Sequence, residues 1–184
     1  MGNKVKVLLA ASQAIDRAND TLAVVANFCV LVACLISAGN AVSRYLFSQS
    51  SNSWLEVQWY LFAAIVMLGA PHTLRMNEHV RVDLLYNLAS DRVKLLIDVG
   101  GILLFLFPAC ILLTALSWPW FVDSWNLNEE SSNFGGLVRW PVKLLLPVGF
   151  ALMVIQGLSE LIKRLTALRR NDTSHLVKYE KPLQ

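Results

Sequence analysis

Charge is what this chain has least of: 16% of its 184 residues are charged and 55% are hydrophobic, where soluble domains carry about a quarter charged. That shortage excludes a single water-facing globule. What fits is an integral membrane protein, long enough for about four spans of about 20 residues with short connections. Residues 1–184 therefore read as one integral membrane domain. Cysteine is scarce too, and Cys29, Cys34 and Cys110 all fall inside apolar runs, where a thiol acts as a small packing group and not as a redox pair. The histidines are His72, His79 and His175. Two axial haem ligands would need histidines in different spans, yet His79 lies in a connection and His175 in the C-terminal tail. No nucleotide loop, metal cluster, nucleophile with its base or carboxylate pair within a span is visible. No enzyme activity, cofactor, metal or nucleic-acid partner is expected. Nor is a cleavable signal, because Lys4 and Lys6 precede only a short apolar piece, Val7 to Ala11.

What charge there is sits at chosen places. The middle connection, Gly69 to Leu96, holds Arg75, Arg81, Arg92 and Lys94 between two apolar runs, and a basic turn of this kind belongs on the cytoplasmic side. Spans are read at about 21–47, 54–74, 93–118 and 142–162, giving an all-α membrane protein with four transmembrane helices. Thirteen of the 16 lysines and arginines then fall on one side, and only Arg44, Arg139 and Lys143 on the other. The bias predicts both termini in the cytoplasm, with residues 163–184 as a cytoplasmic tail. Two short in-plane amphipathic helices are added, at about 4–20 and about 82–90, where apolar residues keep to one face.

Within the spans, Asn27, Ser37, Asn40 and Ser43 with Ala33, Ala38, Gly39 and Ala41 mark a face of the first helix that meets other helices and not lipid. The connection 48–53 is so short that spans one and two must be antiparallel neighbours, which brings Arg44 and Glu56 to similar depth, where they either form an ion pair or snorkel separately to water. Asp98 follows Lys94 by four residues, a spacing that suits an i,i+4 pair. Pro108 should kink the third span. The outer segment from Pro119 to Trp140 is the longest connection on its side. All six tryptophans gather towards that end as an interfacial belt, and Trp120, Trp125, Glu129 and Glu130 are the candidates there for docking a periplasmic partner.

No ionisable group lies deep in a span and no inverted repeat is evident, so a transport pathway of its own is missing. Polar and small residues on helix faces nevertheless call for a partner. That combination fits an accessory subunit. The stretches Arg44-Tyr45-Leu46-Phe47, Trp54-Leu55-Glu56, Leu68-Gly69-Ala70 and Asn77-Glu78-His79-Val80-Arg81-Val82-Asp83-Leu84, with Trp140-Pro141 and Leu146-Pro147-Val148-Gly149-Phe150, resemble the small membrane subunit, the DctQ-like component, of tripartite ATP-independent periplasmic (TRAP) transporters. The resemblance implies an inner-membrane subunit that braces a large membrane subunit, with sodium-coupled uptake of organic acids delivered by a periplasmic binding protein. It also implies structural or subunit-interface roles for Arg44, Glu56, Arg75, His79, Arg81, Asp83 and Asp98. Two rival readings are a stand-alone small ion-coupled transporter and a haem-anchoring subunit of a respiratory enzyme.

Overall fold

The structure, a computed structural model, describes residues 3–49, 51–78, 86 and 88–170. The in-plane helix read at 82–90 lies mostly outside the described residues, as do His79, Arg81, Asp83 and the tail from 171. Among the described residues the architecture is helical: α1 Asn3–Phe47, α2 Asn52–Met76, α3 Asp91–Gly101, α4 Phe107–Asn126 and α5 Trp140–Arg170. A π-helical turn, Ile102–Leu106, joins α3 to α4, so the two form one 36-residue rod. Four rods are thus long and apolar enough to cross a membrane. The chain folds as an all-α protein with four candidate spans.

The first rod departs from expectation. No bend or turn separates residues 4–20 from the span, and α1 runs as one helix of 45 residues, about 68 Å at 1.5 Å per residue and over twice the hydrocarbon thickness. It contains no proline and one glycine, Gly39. Asp16, together with Ser12 and Asn19, faces α5, so these polar groups are satisfied by a neighbouring helix and not by headgroups.

Antiparallel packing of α1 on α2 follows from the short connection between them, which Ser48 turns in the left-handed region (φ 53). Asn77 closes α2 at φ 58, and the N–H groups of Asn77 and Glu78 reach back to the carbonyls of Leu74 and Thr73, 3.2 Å each. Asparagine tolerates that conformation, and the bonds satisfy carbonyls that a helix end leaves open. In the third rod the π turn stands just before Pro108. Proline lacks the N–H that would meet the carbonyl of Leu104, and its ring crowds that carbonyl. Widening the turn so that the Phe107 N–H bonds the Ile102 carbonyl, five residues back, relieves the crowding.

The last rod is the hub, since α5 packs against α1, α2 and the α3–α4 rod alike. Two glycines let neighbours in. A Cβ on Gly149 would lie 2.6 Å from Met67 of α2, and one on Gly157 would lie 2.7 Å from Leu106 and 2.8 Å from Phe107. At both points the side chain of another rod occupies the space a methyl group would need.

Candidate functional site

The basic end of the bundle holds a polar clasp built on one face of α5. Gln156, Ser159, Glu160, Lys163 and Arg164 recur at helical spacing and turn towards the other rods. Gln156 and Ser159 are fully buried, and Ser12 and Asn19 of α1 are 1% exposed. Buried polar groups need partners, and here each has one. Asn19 donates to Gln156 Oε1 at 2.6 Å, and Gln156 donates to Asp16 at 3.0 Å and to Glu160 at 3.2 Å. The hydroxyls of Ser12 and Ser159 lie 2.6 Å apart, and Ser159 donates to Asp16 at 2.8 Å. Lys163 bridges Asp16 at 2.6 Å and Glu160 at 2.8 Å.

Arg164 extends the clasp to the third rod. Its Nε meets Asp98 at 3.0 Å while its Nη1 is paired with Glu160, and Tyr86 donates to Asp98 at 3.2 Å. Lys94 lies 3.9 Å from Asp91, so the pair expected within the helix between Lys94 and Asp98 gives way to a pair between rods. Geometry explains the difference: a charge-assisted bond from a buried guanidinium on another rod is stronger than an i,i+4 pair along one helix. The second rod joins through Asp20 of α1, which takes the Nδ1 of His72 at 2.9 Å and is paired with Arg75. All four rods are therefore tied at this end.

At the tryptophan-rich end the device is different. Glu56, near the start of α2 and 3% exposed, accepts the Leu137 N–H at 2.7 Å, the Asn133 amide at 2.8 Å and the Ser131 hydroxyl. The loop between α4 and α5 thus folds over one carboxylate. Asn52 donates to the Phe134 carbonyl at 3.1 Å, Ser53 to the Gly135 carbonyl and Tyr60 to the Val138 carbonyl at 2.9 Å. Gly135 turns at φ 68, and Glu130 and Val138 form an antiparallel bridge. The Glu56 pairing with Arg44 is not formed: Arg44 is exposed, and among the described residues it has no ion pair. Three donors fixed by a loop meet the carboxylate without ordering a long side chain, which is why the loop is the partner.

The expected outer connection also begins later, because α4 continues through Pro119 to Asn126. An aromatic ladder carries the helix on: Trp118 to Phe121 at 5.6 Å, Phe121 to Trp125 at 6.3 Å, and Trp125 edge-on to Trp140 of α5 at 4.5 Å between ring centroids. Lys143, 7% exposed, sits 4.4 Å from the Trp120 ring and is paired with Glu129, which Arg139 also approaches at 3.5 Å. The Lys143 ammonium holds the Glu129 carboxyl below the usual glutamate range. Of the four docking candidates, Trp120, Trp125 and Glu129 also make contacts within the chain, and the two tryptophans stay 47% and 54% exposed. Glu130 is exposed, and Phe134 at the loop tip is 96% exposed.

Asp98, Glu56 and Arg75 are sequence candidates that the structure places in the two clasps. Ser12, Asn19, Gln156 and Ser159 escaped sequence reasoning, although the spacing 12, 16, 19 on one helix and 156, 159, 160, 163 on another is a polar stripe of period 3.6. No group of three or more His, Cys, Asp or Glu side chains suited to a metal ion occurs among the described residues.

Four apolar rods held by polar clasps at both ends define a multi-pass helical membrane protein. The family described as tripartite ATP-independent periplasmic transporters, DctQ component, matches residues 33–167, and the chain belongs to that family. It is accordingly a transporter component of the inner membrane and not an enzyme. It is similar to the C4-dicarboxylate TRAP transporter small permease protein DctQ of Pseudomonas aeruginosa, 30% identical over 133 residues, which cover 66% of this chain and 62% of the relative. The protein of the same name from Vibrio cholerae is 32% identical over 92 residues, covering 50% of this chain and 36% of the relative. The match thus spans less than two thirds of the length of either relative. No solved structure matches the chain.

Proposed function

We propose that the chain is the small permease subunit that braces and anchors the large membrane subunit of a TRAP transporter. The large subunit would carry sodium-coupled uptake of an organic acid delivered by a periplasmic binding protein, with C4-dicarboxylates the class that the relatives' names suggest. Both termini lie in the cytoplasm in this reading, by the thirteen-to-three bias in basic residues.

One observation carries it. Asn27, Cys34, Ser37, Ala38, Ala41 and Arg44 fall within one face of α1 at helical spacing, and all six are exposed. Polar side chains left against lipid are costly, whereas the same small and polar residues favour close packing with another helix. The open stripe is a seat for a helix of the large subunit. The engaged tryptophans give the opposite end a rigid rim, on which Glu130 and Phe134 remain open to the binding protein.

The experiment is co-purification of the large subunit on the tagged small one. Asn27→Leu with Ala38→Leu should lower the yield of large subunit about tenfold while leaving the small subunit folded by circular dichroism. Undiminished co-purification would remove the stripe as the seat. Uptake by this chain alone in vesicles would overturn the whole reading.

A further inference from the structure

At the basic end, beyond the polar clasp, a groove of about 640 Å³ opens between the start of α1, the start of α3 and the end of α5. Val5, Leu8, Ile162 and Leu165 make its walls, and Arg92 and Arg169 stand among its lining residues. Among the described residues no acidic side chain lines it. Arg92 and Arg169 are both exposed, and among the described residues neither guanidinium has an ion pair or hydrogen bond. The neighbouring cations differ: Arg75, Lys94, Lys163 and Arg164 each have an acidic partner. Two uncompensated guanidinium groups beside an apolar wall match a ligand with an anionic head and an apolar body. Leu165 directly follows Arg164 of the clasp, so the apolar wall adjoins the buried polar groups.

We infer that this groove binds an anionic phospholipid of the leaflet at the basic end of the bundle. Its phosphate is held by Arg92 and Arg169, and an acyl chain lies along Leu8 and Leu165. Guanidinium groups suit a phosphate because their fixed donor fork matches its oxygens, and juxtamembrane cations gain further from the negative surface of anionic lipid. The groove joins α1, α3 and α5, so a bound lipid would bridge three rods. The inference rests on the chain lying in the bilayer and not on its bracing a larger subunit.

The test uses the full chain in mild detergent, with retained phospholipid measured by mass spectrometry and thermal unfolding followed with added phosphatidylglycerol, phosphatidylcholine or inorganic phosphate. The wild-type chain should retain phosphatidylglycerol over phosphatidylcholine and be stabilised by it. Arg92→Gln with Arg169→Gln should cut that retention at least about fivefold, and Arg92→Lys with Arg169→Lys should keep most of it. Arg17→Gln removes an exposed cation that does not line the groove and should change nothing. Equal loss in Arg17→Gln would show diffuse surface charge, and the same stabilisation by phosphate alone would show a free-anion site. Either outcome, or unchanged retention in the double glutamine variant, overturns the assignment.

Discussion

The two ends of the bundle are closed by opposite means. At the basic end, side chains on separate rods meet one another: Asp16 with Lys163, Asp98 with Arg164, Asp20 with Arg75. At the tryptophan-rich end one carboxylate, Glu56, gathers donors from a single loop, including a backbone N–H. The first device fixes how rods stand relative to each other and is lost as a unit, because its members are shared among several partners. The second fixes the shape of one surface and leaves the rods to apolar and aromatic contact. The division leaves rigidity at one end and a shaped rim at the other, which suits the bracing role proposed above.

The comparison breaks hardest at Arg164. Replacing it with methionine leaves Asp98 and Glu160 facing each other without their shared cation, and breaking a buried pair in this way costs about 3–5 kcal/mol. Unfolding in mixed micelles should show that loss. Adding Glu160→Gln to the methionine variant should recover part of it, because the uncompensated charge is removed. Full additivity of the two changes would show that the pair acts as separate surface groups. Glu56→Gln should be gentler and local. It keeps one acceptor and loses the charge that strengthens three bonds, so proteolytic nicking within 127–139 should quicken roughly tenfold while the unfolding of the rods stays put. A matching fall in global stability would erase the distinction between the ends.

How much of this could be read from the residues depends on what each feature needs. Four apolar runs and a basic connection need only composition, and the helices follow from them. Gly149 and Gly157 were legible as points of close approach for the same reason, since small residues in spans serve little else. Partner choice was not legible. Arg44 and Glu56 sit at similar depth by sequence, but the loop that takes Glu56 lies more than 70 residues along the chain, and no local spacing announces it. Asp98 sits four residues from a lysine and yet faces Arg164, because a distant rod brings a buried guanidinium nearer than the local ammonium. Residues 4–20 read as a separate in-plane helix because their polar positions suit headgroups, whereas the structure runs them without a break into the first rod. The stripe at 12, 16 and 19 has its complement at 156, 159 and 163, and comparing the two helices would have shown it.

The smallest expected effect concerns acid. Glu129 sits in the loop between α4 and α5, and the Lys143 ammonium, with the more distant Arg139, lowers its carboxyl from the ordinary value of 4.5. A carboxylate whose folded pKa is depressed contributes stability that is whole above its unfolded value and is lost as pH falls through the folded one. The tryptophan-rich end should therefore loosen only as the pH falls below the ordinary glutamate value of 4.5, with Trp125 and Trp140 fluorescence changing as their edge-on contact opens. Glu129→Gln should abolish that acid-side transition and leave the neutral-pH spectrum almost unchanged, since the glutamine carbonyl still offers Lys143 an acceptor. Should the transition persist in the glutamine variant, the responsible carboxylate is another one, and Glu56, which holds the same loop, is the group to replace next.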